Sequence, residues 1–156
     1  MAEHGMCHYQ EGLNDGKEFT CDYLPQIFNI HGCDVEIEFG SRYQDILSSN
    51  SVSSKQVLES LILDNTTENT GCLLWISNYC LACIFQHYRI QKTKYFLVAC
   101  NERQTINLFE QFNDTEVLIN KFCHIVTQKL KCEEMQYNIQ FLSCSCQLTK
   151  SERQKF

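Results

Sequence analysis

Thiols and imidazoles are the side chains in this chain best suited to chemistry. Eleven cysteines and five histidines could support nucleophilic attack by a thiolate, binding of a soft metal, or disulfide exchange. A nucleophilic thiol needs a base to take its proton and a third group to orient that base. The stretch laid out most like a site is "KYFLVACN" at 94–101, followed by "ERQTINLFE". There an apolar run rich in strand formers stops at a small residue, a thiol and an amide, as a strand does where it delivers side chains to a site. Cys100 is the candidate nucleophile. His124 is the candidate base, placed one position off the apolar stripe of a later helical segment. Neither has a recognisable orienting partner or oxyanion loop nearby in the sequence, so no complete catalytic set is expected.

The other thiol groupings read as packing or surface. Cys80 and Cys83 have the CxxC spacing, but they lie inside an apolar strand, where positions i and i+3 point to opposite faces and cannot share a metal. A redox pair would also need a helix N-terminus to lower one thiol pKa. Cys72, Cys80, Cys83 and Cys123, all within apolar runs, are expected to be buried free thiols acting as small hydrophobes. Cys144 and Cys146, at i and i+2, share one strand face but lack two further ligands. His4, Cys7, His8 and Cys21 would suit zinc chemically, yet their spacing matches no finger, and the polar segment around them has few apolar residues to order it. No metal and no cofactor are expected. His87, in the polar turn "HYRIQKTK", is expected to face solvent.

Bulk properties narrow the alternatives. A chain of 156 residues is long enough for one well-packed core. Hydrophobic residues make up 44% and charged residues 21%, ordinary values for a globular protein. A net charge of −6 without a Lys/Arg cluster offers no field for phosphates, which argues against nucleic acid as partner. No apolar stretch reaches the roughly 18 residues of a membrane span, and the first residues have no apolar core of the signal-peptide kind. The expectation is therefore an intracellular, cytoplasmic or nuclear protein whose thiols stay reduced.

The elements that must position these residues follow from periodicity. Residues 1–23 read as a flexible segment, 24–148 as a single domain and 149–156 as a polar tail. "IFNIHGCDVEIEFG" alternates Val35, Ile37 and Phe39 with Glu36 and Glu38, a half-buried strand, and His31-Gly32 predicts a hairpin turn before it. Ser53 and Gln56 form a capping box for a helix bearing Val57, Leu58, Leu61 and Ile62 on one stripe. "CLLWIS", "YCLACIFQ" and "YFLVA" predict an antiparallel meander, and because both parities are apolar, one covered on both faces. "TINLFEQF" adds a strand. Asn113 with Glu116 caps a second helix carrying Val117, Leu118, Phe122, Ile125, Val126 and Leu130, and "YNIQFLSCSCQL" closes the order. The fold class is α+β: a mainly antiparallel sheet of five to six strands packed with two main helices.

From about residue 24 to 146 this order of elements resembles the papain-like cysteine peptidases of the herpesvirus large tegument protein type, which are ubiquitin-specific. The pieces that carry the resemblance are "GCLLWISNYCLACIF", "YFLVACNER", the 113–130 helix and "YNIQFLSCS". The family's strand ends in Asp-Ser-His with an Arg close behind. Laid on "VACNER", Ala99 stands at the Asp and Asn101 at the His, and Arg103 alone agrees. An amide has no titration near neutral pH and cannot act as general base. The family's nucleophile lies on an upstream helix, and only Cys7 and Cys21 are upstream thiols here. The resemblance thus implies a truncated, inactive relative with a papain-like core.

Two functions follow as expectations. One is a non-enzymatic protein-interaction domain with a binding face around Trp75, Tyr79, Tyr88 and Tyr95 together with Arg103, its partner a protein that the resemblance makes ubiquitin-like. The other is an active thiol-dependent hydrolase of ubiquitin-like or peptide substrates, using Cys100 or an upstream cysteine.

Overall fold

The structure, a computed structural model, describes residues 26–76, 79–88, 92–100, 106–131 and 133–148. Their elements in chain order are β1 (Ile27–Ile30), β2 (Cys33–Ser48), α1 (Val52–Asn65), β3 (Gly71–Ile76), β4 (Tyr79–Tyr88), β5 (Lys92–Cys100), β6 (Ile106–Phe112), α2 (Thr115–Leu130) and β7 (Glu134–Leu148). The strands follow the order β1-β2-β7-β3-β4-β5-β6. The fold is α+β, with the expected meander running from β3 to β6 and the last strand returning between β2 and β3.

The turn between β1 and β2 has His31 at φ 50° and Gly32 at φ 84°. Two successive positive φ values are the backbone twist that joins antiparallel strands tightly, and the register Ile30↔Cys33 to Ile27↔Glu36 follows from it. This hairpin, up to Glu38, belongs to one of two compact units. The larger unit comprises Phe39–Ala99 and Leu108–Ser143 and holds both helices and most of the sheet.

Both helices start where a short polar side chain satisfies free backbone donors, though not where the sequence pattern points. Ser51, rather than Ser53, caps α1 by accepting from the Ser54 amide. Serines are so dense between 48 and 54 that several offer equivalent caps. Asp114, rather than Asn113, caps α2, accepting from the amides of Glu116 at 2.8 Å and Val117 at 3.3 Å. α2 ends at Lys131 in the left-handed region, whose N–H returns to the Thr127 carbonyl at 2.8 Å. Glu59 Oε1 accepts from Thr115 Oγ1 at 2.6 Å, and Lys55 Nζ donates to Asn120 Oδ1 at 3.2 Å, joining the two helices.

β2 is much longer than its apolar pattern. The polar run after Phe39 continues as strand to Ser48, because β7 supplies it with a partner ladder and Leu47 at its end is fully buried. The core joins Leu58 and Ile62 of α1 and Leu118, Ile119, Phe122, Cys123 and Val126 of α2 to one face of the sheet: Cys72, Leu74, Leu81, Cys83, Phe85, Tyr95, Leu97, Ile139 and Phe141. Burial of each large apolar side chain contributes about 1.5–3 kcal/mol. Gly71 has to be glycine for this packing: a Cβ there would lie 2.6 Å from the Cys83 carbonyl oxygen.

Candidate functional site

Strand register divides the meander into two unlike faces. Cys72↔Cys83 and Leu74↔Leu81 pair across β3 and β4, and Cys83↔Leu97 and Phe85↔Tyr95 across β4 and β5. All of these lie under the helices. The intervening pairs Leu73↔Ala82, Trp75↔Cys80, Ile84↔Phe96 and Gln86↔Lys94 point the other way, as alternate strand positions must. Those side chains are half-buried or exposed, with Ile84 at 46%, and Phe109 on β6 is 61% exposed. The expected covering of both faces is therefore corrected for the described residues: one apolar parity is buried, and the other stands open.

The open face has a defined structure. The Phe96 and Phe109 rings pack with centroids 5.5 Å apart. Together with Ile84, Phe85 and Gln86 they line a shallow groove of about 360 Å³. Beside it, Lys94 Nζ sits 4.7 Å from the centroid of the Tyr88 ring, whose hydroxyl donates to Gln86 Oε1 at 2.9 Å. Further across the face the Arg42 guanidinium lies 5.2 Å from the centroid of Trp75. Each cation–aromatic pair contributes about 0.5–1 kcal/mol at an exposed site, enough to hold rings and charges in place. Flat apolar surface edged by ordered aromatic and cationic side chains is suited to recognising a protein surface.

The four aromatics expected to share a binding face do not. Trp75 and Tyr88 lie on the open face. Tyr79 and Tyr95 have the opposite parity, and Tyr95 is only 5% exposed. Its ring packs edge-on against Phe85 at 5.8 Å, and burial raises its pKa, with Thr66 as a hydrogen-bonding neighbour. Burial, and secondarily Cys80, raises that of Tyr79. Tyr95 is thus a core residue: a tyrosine within a strand looks the same in sequence whichever parity it takes. Arg103 lies outside the described residues, as do Asn101 and the set His4, Cys7, His8 and Cys21. Residues that sequence reasoning missed are Arg42, Ile84, Lys94, Phe96 and Phe109. For Ile84, Lys94 and Phe96 the signal was the even parity of β4 and β5, which became meaningful only once the register was known; Arg42 on β2 and Phe109 on β6 gave none.

The thiols are placed unevenly. Cys72, Cys83 and Cys123 are buried and free, whereas Cys80, Cys144 and Cys146 are exposed. Cys80 is therefore not the core residue expected, since it shares the open parity with Trp75. Burial pushes the Cys72 thiol well up, and its hydrogen bond with Cys83 adds to the effect. Burial also raises Cys123, with Lys55 partly opposing. These thiols hold their protons, the reverse of what a nucleophile needs. Cys100 closes β5, but its side chain, and with it any pairing with His124, lies outside what is described. His31, His87 and His124 are all exposed, and His87 Nδ1 is 3.1 Å from Thr93 Oγ1. Among the described residues no three His, Cys, Asp or Glu side chains gather as a metal site, and no helix is long and apolar enough to cross a membrane.

No protein-family model matches this chain, and no curated protein sequence does. Among solved structures, it is similar to the ubiquitin-specific protease encoded by murine cytomegalovirus tegument protein M48, crystallised in complex with a ubiquitin-based suicide substrate. The TM-score is 0.57 and the identity 8%, over 96% of this chain. The chain spans 63% of the length of that protease chain. The likeness is one of fold: the α+β architecture is that of a cysteine-peptidase-like structure.

Proposed function

We propose that this chain is a non-enzymatic protein-interaction domain, an inactive relative of papain-like deubiquitinating peptidases, with a ubiquitin-like protein as partner. The observation that carries the reading is the open sheet face, where Ile84, Phe96 and Phe109 form an apolar surface flanked by cation-capped Tyr88 and Trp75. Inactivity is supported by Asn101 standing where the resembled family keeps its base, and by the absence of any histidine between 88 and 123 of the sequence. The ubiquitin-like partner is supported by the fold shared with a protease that was captured on a ubiquitin-based substrate.

The test uses an electrophilic ubiquitin-tail probe at neutral pH on the full chain and on its Cys100→Ala and Cys7→Ala variants, together with a titration of free ubiquitin. Saturable ubiquitin binding without labelling of any single cysteine is expected. Labelling that disappears in one alanine variant would replace this reading with the thiol-dependent hydrolase and name its nucleophile.

A further inference from the structure

We propose that Cys72 and Cys83 are a reversible oxidation site: a small peroxide converts the pair to a cross-strand disulfide tying β3 to β4, and a thiol reductant restores both thiols. The two residues are direct partners in the antiparallel register of β3 and β4. One step beyond the Gly71↔Ile84 pair, the Phe85 N–H donates to the Thr70 carbonyl at 2.9 Å, which makes 70 and 85 a hydrogen-bonded pair. The two kinds of pair alternate along an antiparallel ladder. Cys72 and Cys83, two positions along each strand, are therefore a hydrogen-bonded pair as well. The Cα atoms of such a pair stand about 5.5 Å apart, within the roughly 4.4–6.8 Å that a disulfide spans. Both side chains are buried in the core under the helices, and their thiols are already in hydrogen-bonding contact.

Other thiols are placed differently. Cys80, three positions from Cys83 on β4, points to the opposite face. Cys144 and Cys146 share one strand instead of facing each other across two. Cys123 is similarly buried, at 3% exposed, but it belongs to α2, and its thiol is influenced by Lys55 rather than by another cysteine. The chemistry needs only a peroxide. In the first step one sulfur attacks a peroxide oxygen; the O–O bond breaks, a sulfenic acid forms, and water leaves with the thiol proton. In the second step the other sulfur attacks the sulfenic sulfur; the S–S bond forms, the S–O bond breaks, and a second water leaves. The two thiols together lose two electrons, and the peroxide gains them. At 1% exposure for each residue, the first step is slow. The second joins atoms already in contact, so it outruns further oxidation to sulfinic acid. This proposal stands apart from the ubiquitin reading and involves none of the residues of the open face.

The test treats the full native chain with hydrogen peroxide for increasing times and removes the excess with catalase. The chain is then unfolded in iodoacetamide and cut with chymotrypsin without reduction. Trp75 and Tyr79 lie between the two cysteines, so the enzyme separates them, and mass spectrometry finds them in one linked product only where a disulfide joins them. A linked Cys72–Cys83 product that dithiothreitol dissolves is expected. Capping of Cys72 and Cys83 by iodoacetamide should fall in step, at least about tenfold below that of Cys123, because Cys123 is buried without a thiol in contact to capture its sulfenic acid. The proposal is overturned if both thiols remain fully capped, if either is found linked to a different cysteine, or if they reach sulfinic acid without a linkage. Equal losses at Cys123 would overturn it too, by showing that pairing confers nothing. So would a linkage that forms only when urea is added before the peroxide, since the bond would then belong to the unfolded chain.

Discussion

Cys83 and Ile84 are neighbours on β4, yet Cys83 is 1% exposed and Ile84 46%. The same contrast separates Leu97 from Phe96 and Leu74 from Trp75. Both faces of the meander are built from residues of similar hydrophobicity, and what distinguishes them is the placement of two helices. Below the helices, apolar area removed from water holds the fold together. On the other side the same kind of side chain stays wet, ordered by ring stacking and by cations. One face is therefore accounted for by stability, whereas the other is the place where association can gain.

The largest test of that contrast is truncation of one phenylalanine on each side. Phe122→Ala removes a ring that is 1% exposed between α2 and the sheet, and should cost about 3–5 kcal/mol. Phe109→Ala on the open face should change stability by no more than about 0.5 kcal/mol. Chemical denaturation of the two variants decides it, and comparable losses would show that the open face is structural. Next in size is Gly71→Ala, whose added methyl must push against the Cys83 carbonyl. The expected loss is about 1–3 kcal/mol, read as a lower thermal midpoint. A neutral result would mean that β3 and β4 can separate locally.

The smallest effect concerns Tyr137. It is fully buried on the covered face, and among the described residues its hydroxyl has no hydrogen-bond partner. Tyr137→Phe removes a desolvated polar atom without changing shape and should leave stability unchanged or raise it by up to about 1 kcal/mol at neutral pH. Burial, and then the charge of Asp45, pushes this phenol from 10.0 up to about 12. The folded state therefore holds the proton more tightly than the unfolded one. Its contribution is complete below the unfolded value and is lost as pH rises from 10 towards 12. Denaturation across that window should show a shallower decline in Tyr137→Phe than in the parent chain.

Much of the architecture was legible from local pattern. The hairpin at His31-Gly32, both helices, the meander and the closing strand can each be read from alternation, helical stripes and turn residues, since those signals act within a few positions. Boundaries were less legible where a tertiary partner overrides propensity. β2 extends through "GSRYQDIL" because β7 lies beside it, and the caps fall on Ser51 and Asp114 because several equivalent polar residues compete. Of the expected binding aromatics, Trp75 and Tyr88 lie on the open face, whereas Tyr95 went to the core. Strand alternation assigns residues to two faces but does not say which face a helix will cover.

By itself, the sequence determined that the chain makes an α+β fold with two helices and that its CxxC thiols point apart. These are consequences of residue type and short spacing. Only the tertiary structure decided which parity of the meander is buried, that Arg42 and Lys94 come to rest over Trp75 and Tyr88, and that β6 ends the strand order beside an apolar groove. Each depends on contacts between residues far apart in the chain, for which the register of a long-range pairing has to be known.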